Sequence, residues 1–182
     1  MDVVDKDSAV SRRQVLKISV DAAGVLLSGR GLAVAAEAAG PIEKPVDRPA
    51  KASKRFLASM NCSQAICEVY GPSFGVPADV AGKMGTGFAG GMGLGSECGA
   101  VAGAVAVLGL KYGPDTGRTM VKVTEFIAEF RKRCGETSCS KLLKVDMGTA
   151  EGIKAAADKG LFTSACPGYV KTAGEILEKM LA

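Results

Sequence analysis

The chain contains no histidine and no tryptophan. Without His there is no Ser-His-Asp or Cys-His catalysis and no His-ligated zinc. A covalent c-type haem is excluded too, since its attachment motif is C-x-x-C-H. Aromatic residues are few, three Tyr and six Phe. No segment alternates apolar and polar residues convincingly with period two, so a β-rich fold has little support. Charge of one sign is also lacking. The 23 Lys+Arg stand against 19 Asp+Glu, and the net +4 comes without interleaved basic and aromatic residues, so nucleic acid is not an expected partner. A long hydrophobic run is missing as well. Residues 88–110 carry a single charge, Glu97, but also seven Gly, and their strongly apolar part is only the 13 residues from Cys98 to Leu110. That is too short to span a bilayer and reads as a buried core helix. What the sequence does have is 182 residues, 24 Gly and 6 Cys, enough chain for one domain with its own core.

The N-terminal stretch Ser11-Arg12-Arg13-Gln14-Val15-Leu16-Lys17 resembles a twin-arginine export signal. A mildly apolar segment, Ile18 to Leu32, follows, then the small-x-small triplets Ala33-Val34-Ala35 and Ala36-Glu37-Ala38, where a signal peptidase could cut. Asp21 and Arg30 inside the apolar segment argue against a permanent membrane anchor. This reading makes 1–38 a signal peptide, the twin-arginine translocase a partner, and the periplasm the destination. The route carries proteins that are already folded, often with a cofactor loaded in the cytoplasm. Residues 39–50 hold Pro41, Pro45 and Pro49 among charges and read as an extended linker, leaving 51–182 as the folded domain.

Within that domain the apolar spacing predicts a compact all-α bundle. Cys62, Ala65, Ile66 and Val69 form one face of a helix between Ala52 and Tyr70, with Cys67 roughly 140° away from Cys62. A short helix over 78–87, a loop over 88–95 and a fully buried central helix from Cys98 to Leu110 follow. Gly91, Gly95, Gly99 and Gly103 recur every fourth residue, a smooth stripe for close packing if all lie on a helix. Val123, Phe126, Ile127 and Phe130 mark an amphipathic helix ending near Arg131-Lys132-Arg133. Further helices are expected after Ser138, from Thr149 to Lys159, and from about Pro167 to the C-terminus. Gly85–Gly90 fits G-x-G-x-x-G, but no strand precedes it, so a dinucleotide site is not expected.

Six cysteines in an exported chain suggest structural disulfides, yet a domain of this size can build a core without them. Position argues for chemistry instead. Cys98 follows Gly95-Ser96-Glu97, Cys139 follows Thr137-Ser138, and Cys166 follows Thr163-Ser164 and precedes Pro167. All three stand near predicted helix N-termini, where free N–H groups and the positive dipole end stabilise a thiolate. Cys134 continues the buried stripe of Phe130, and Cys67 lies off the buried face.

Several words around these residues resemble the C-GCAxxG-C-C family of redox proteins. They are Asn61-Cys62-Ser63-Gln64-Ala65, the Gly-rich Phe88–Gly95, Cys98-Gly99-Ala100-Val101-Ala102-Gly103, Leu108-Gly109-Leu110-Lys111-Tyr112-Gly113, Cys139-Ser140-Lys141-Leu142-Leu143, Cys166-Pro167 and Ala173-Gly174-Glu175-Ile176-Leu177. The resemblance covers roughly residues 54–182. It implies that the family's four cysteines are Cys62, Cys98, Cys139 and Cys166, with Cys67 and Cys134 outside the set. The order Cys98-Gly99-Ala100 departs from the Gly-Cys-Ala of the family's name. The implied function is a redox or electron-transfer protein with an iron-sulfur cluster on the four thiolates, acting as a carrier for another redox protein or oxidoreductase subunit. The alternatives are a metal-free dithiol protein using Cys98, a zinc site on the same four cysteines, or a disulfide-stapled interaction module. The four cysteines should then converge in space, with Cys67 and Cys134 apart.

Overall fold

Asp47 opens the first helix by accepting the Ala50 N–H at 3.0 Å, and Pro49 sits in its first turn. The computed structural model describes residues 46–182, so the expected export signal and most of the linker lie outside the described residues. Helix α1 runs Arg48–Ser59. Residues 48–50 are thus its first turn rather than the end of a linker, and Pro49 is buried. The chain then turns through Met60, which has left-handed dihedrals with φ 53°, and restarts as α2, Cys62–Tyr70. The single helix expected over 52–70 is therefore two. The reason is Asn61. Its side chain accepts the Gln64 N–H at 3.0 Å and donates to the Thr86 carbonyl at 3.0 Å, which makes it an N-cap.

Helix α3, Ala78–Gly85, and a short 3₁₀ turn, Thr86–Phe88, lead through a single distorted π-type turn, Gly91–Gly95, to Cys98. Helices α4 (Gly99–Tyr112) and α5 (Thr116–Cys134) follow. Three short helices come next, α6 (Cys139–Leu143), α7 (Ala150–Asp158) and α8 (Leu161–Ser164), and α9 (Cys166–Leu181) closes the fold. The fold is all-α. Among the described residues the only β-type pairing is one isolated antiparallel bridge, Glu97 with Ser138. No helix there is long and apolar enough to cross a membrane.

Helix α9 packs on α1 and is held by a polar staple. Arg48 donates to both oxygens of Glu178 at 2.7 and 2.8 Å, and the buried Tyr70 hydroxyl reaches Glu178 at 2.9 Å and the Gly174 carbonyl at 3.0 Å. The α5 face expected from the spacing is present: Val123, Phe126 and Phe130 are buried, and the two Phe rings stack with centroids 6.0 Å apart.

The glycine stripe separates into two pieces with different roles. Gly99 and Gly103 lie on α4, and a Cβ there would come within 3.1 Å of the Cys62 Cβ and 3.0 Å of the Ser63 Cα. They let α4 approach the start of α2. Gly91 and Gly95 instead belong to the turn before α4, with φ of 64° and 67°.

Helix α4 is central, but it is not buried on every side. Ala104 is fully buried, whereas Ala106 and Leu110 are exposed. They face an apolar groove of about 340 Å³ shared with Cys67, Val76, Met84 and Phe88. An all-apolar helix carries no polar face to show which side is covered, and here α2, α5 and α9 pack against it without enclosing that side. Ala104→Leu should lower stability by about 1–3 kcal/mol through overpacking. Ala106→Leu should stay within about 0.5 kcal/mol. Urea unfolding of the two variants checks the difference.

Candidate redox site

Each of the four implied cysteines stands at the start of a different helix. Cys62 is the first residue of α2, Cys98 is the N-cap of α4, Cys139 is the first residue of α6 and Cys166 the first of α9. The expected N-terminal positions of Cys98, Cys139 and Cys166 are observed. Cys62 was expected in the middle of a longer helix, and the Asn61 cap places it at a helix start as well.

Backbone pairing brings two of these starts together. The Cys98 N–H donates to the Thr137 carbonyl at 2.8 Å, and the Cys139 N–H donates to the Ser96 carbonyl at 2.6 Å. The Ser138 hydroxyl adds a bond to the Gly95 carbonyl at 3.0 Å. Segments 95–98 and 137–139 are thus bolted antiparallel. Ser96 is held in turn by Gly91, whose carbonyl accepts the Ser96 N–H at 3.2 Å and its hydroxyl at 2.7 Å. Positive φ at Gly91 and Gly95 makes this hairpin-like meeting possible.

Three of the thiols are neighbours. Cys62 stands beside both Cys166 and Cys98. Its pKa is pushed up, first by those two neighbours and then by burial, so it keeps its proton. The Cys62 thiol holds Cys98 below its ordinary pKa, and the Ala100 and Val101 N–H groups at the start of α4 add to the effect. Cys166 is lowered for the same first reason, with help from its own N–H. Cys139 has no such donor, and burial pushes it up to about 12, with Cys98 and Cys166 adding like charge. The set therefore divides into two thiols whose pKa is lowered, Cys98 and Cys166, and two whose pKa is raised, Cys62 and Cys139.

These pKa directions have a sign that can be tested in reduced, metal-free protein. A lowered pKa means that thiolate is present below the ordinary value of about 8.5. Alkylation of Cys166 should therefore hold its rate as pH falls below that value, while Cys139 should gain rate only as pH rises toward 12. Residue-resolved mass spectrometry after short iodoacetamide pulses reads both profiles.

Three of the four, Cys62, Cys139 and Cys166, line one cleft of about 370 Å³ walled mainly by apolar side chains, among them Phe56, Met60, Leu143, Met147 and Phe162. Cys98 lies behind them and is 4% exposed. All six cysteines are free thiols. Cys67 is remote from this convergence. It lines the other groove, contacts the Gly103 carbonyl at 4.0 Å, and is pushed up to about 11 by burial. Cys134 is half-buried at the end of α5 beside Thr172 of α9, and burial raises its pKa, with Cys98 near enough to raise it further. It is a neighbour of the site rather than a distant extra. Among the described residues no group of three or more Cys, Asp or Glu is set in single-ion geometry.

A family model described as "Putative redox-active protein (C_GCAxxG_C_C)" matches residues 60–180. The chain belongs to this family. The C-GCAxxG-C-C match begins just before the Asn61 cap and takes in all four helix-start cysteines. No curated protein and no solved structure matches the chain.

Asn61 and Thr137 are named in the sequence reading, but their roles in building the site are not. The capping role of Asn61 has a signal, Asn followed three residues later by Gln. Thr137, buried with its carbonyl on the Cys98 amide, has no local signal for that pairing, because it joins segments some forty residues apart.

Proposed function

We propose that this C-GCAxxG-C-C protein is an exported electron-transfer protein whose Cys62, Cys98, Cys139 and Cys166 hold an iron-sulfur cluster. The observation that carries the reading is the meeting of four helix N-termini, each beginning with or capped by a cysteine, beside one apolar cleft. The donor set suits the group: it is all sulfur, the chain has no His to compete, and two of the thiols are already favoured as thiolates. Four dipole ends favour the net negative charge that sulfide and thiolate ligands bring. When bound, the cluster would accept and release one electron at a time. The chain's own part is to supply thiolates, aim N–H groups at them, and exclude water with Phe56, Leu143, Met147 and Phe162. A single zinc ion fits less well, because it needs sulfurs packed at about 2.3 Å from one centre and no such group is formed.

A second reading has a specific observation behind it. Cys62 touches both Cys98 and Cys166, so a two-electron cycle between a dithiol and a disulfide could use either pair without metal. In both readings another redox protein exchanges electrons at the cleft. The direct test is to produce residues 39–182 in the cytoplasm, isolate them without oxygen, and measure iron, acid-labile sulfide and visible absorption. Stoichiometric iron and sulfide support the cluster. Their absence, with a reversible two-electron thiol titration, supports the dithiol.

The periplasmic destination rests on the Arg12-Arg13 stretch. Replacing both residues by Lys in the full chain should stop export and leave the folded domain unchanged. Cell fractionation reads this outcome, and normal export of the double variant would contradict it.

A further inference from the structure

Cys139 and Cys166 line one cleft from two helices that are joined by a single hydrogen bond. The Tyr169 hydroxyl of α9 donates to the Leu142 carbonyl of α6 at 3.1 Å. Tyr169 lies three residues after Cys166, and Leu142 lies three residues after Cys139. The bond therefore sits about one helical turn behind both cysteines, near 5 Å along each axis. Among the described residues it is the one hydrogen bond between these helices.

We propose that Tyr169 is a positioning residue that sets the separation of Cys139 and Cys166. Helix α6 has five residues, too few to be stable alone, and it ends at Lys144 in the left-handed conformation with φ 55°. Its first residue is tied to Ser96 through the Cys139 N–H, and its last turn is tied to α9 through Tyr169. Removing the second tie leaves the last turn of α6 held by the burial of Leu142 and Leu143 and by the Ser140–Met147 bond, with no polar tie to α9. Helix α9 is a longer, packed element, so the adjustable partner is α6. The phenol stands near Cys134, Cys166, Cys98 and Cys139, and its hydroxyl is the donor to the Leu142 carbonyl.

This role rests on Cys139 and Cys166 belonging to one site, but not on what the site binds. The test uses the full chain, reduced and treated with a chelator. Tyr169→Phe keeps the ring and removes only the hydroxyl. Each cysteine is followed by pulsed iodoacetamide alkylation and mass spectrometry. In the variant, Cys139 should react about fivefold faster, the factor that loss of one ordinary hydrogen bond gives. Cys67, buried on α2 away from the site, should react as in the wild type. An unchanged Cys139 rate would overturn the proposal. An equal rise at Cys67 would overturn it as well, because the hydroxyl would then hold the whole fold rather than the site. The measurement contains no metal, so its failure is separate from a failure to find iron in the wild-type protein.

Discussion

Replacing any one of Cys62, Cys98, Cys139 or Cys166 by Ser should abolish stoichiometric iron binding. Serine is nearly isosteric, but its hydroxyl is far less acidic than a thiol and its oxygen is a harder ligand, so it is a poor substitute at iron. The four variants should not be equal in other respects. Cys98→Ser keeps an N-cap for α4, because Ser is a good capping residue, and the fold should survive. Cys62→Ala, unlike Cys62→Ser, leaves no donor beside Cys98 and Cys166, so both lose the largest cause of their lowered pKa. In that variant the alkylation pKa of Cys166 should rise toward the ordinary thiol value even without metal. Cys67→Ser is the control. Its thiol lies in the separate groove, and iron content should match the wild type. Cys134→Ser should also retain iron, since all four helix-start cysteines remain in place.

Gly95→Ala should be strongly damaging. An added Cβ would collide with Ser140 Oγ and lie 3.2 Å from the Met147 Cβ, in a backbone held at φ 67°. Ser140 has little room to yield, because its hydroxyl accepts the Met147 N–H at 3.0 Å. Left-handed conformation alone costs an L-residue about 1–2 kcal/mol, and overpacking adds a similar amount, so a loss of about 2–4 kcal/mol is expected. The effect should reach the site, because the Gly95 carbonyl accepts the Ser138 hydroxyl beside the 98–139 pairing. Gly75→Ala isolates the conformational part. Gly75 has φ 77° but nothing within 4 Å of an added Cβ, so its loss should be about 1–2 kcal/mol with iron binding intact. Urea unfolding and iron content of the two variants compare the effects.

Much of this architecture was legible in the sequence for simple reasons. The period-3.6 spacing of Val123, Phe126 and Phe130 fixes a helix and its inward face. Ser138, Thr149 and Pro167 announce the starts of α6, α7 and α9 within a residue or two. The helix-terminal position of three cysteines could be read from those same signals. What could not be read depends on tertiary contact. The face of α4 left open at Ala106 and Leu110 is as apolar as the covered face, so composition does not distinguish them. Gly91 and Gly95 share the spacing of Gly99 and Gly103, and only the backbone reveals that the first pair turns while the second pair packs. The division of the thiols into lowered and raised pKa values arises from one donor, Cys62, placed between two acceptors from distant parts of the chain.

Iron K-edge X-ray absorption on the anaerobically isolated protein tests the central claim most directly. With four cysteines as the only protein ligands, the first shell at iron should be sulfur throughout, at about 2.3 Å, with a further iron neighbour beyond it. A first shell containing oxygen or nitrogen in wild-type protein, or a full wild-type iron signal in Cys139→Ser, would contradict the assignment of these four residues.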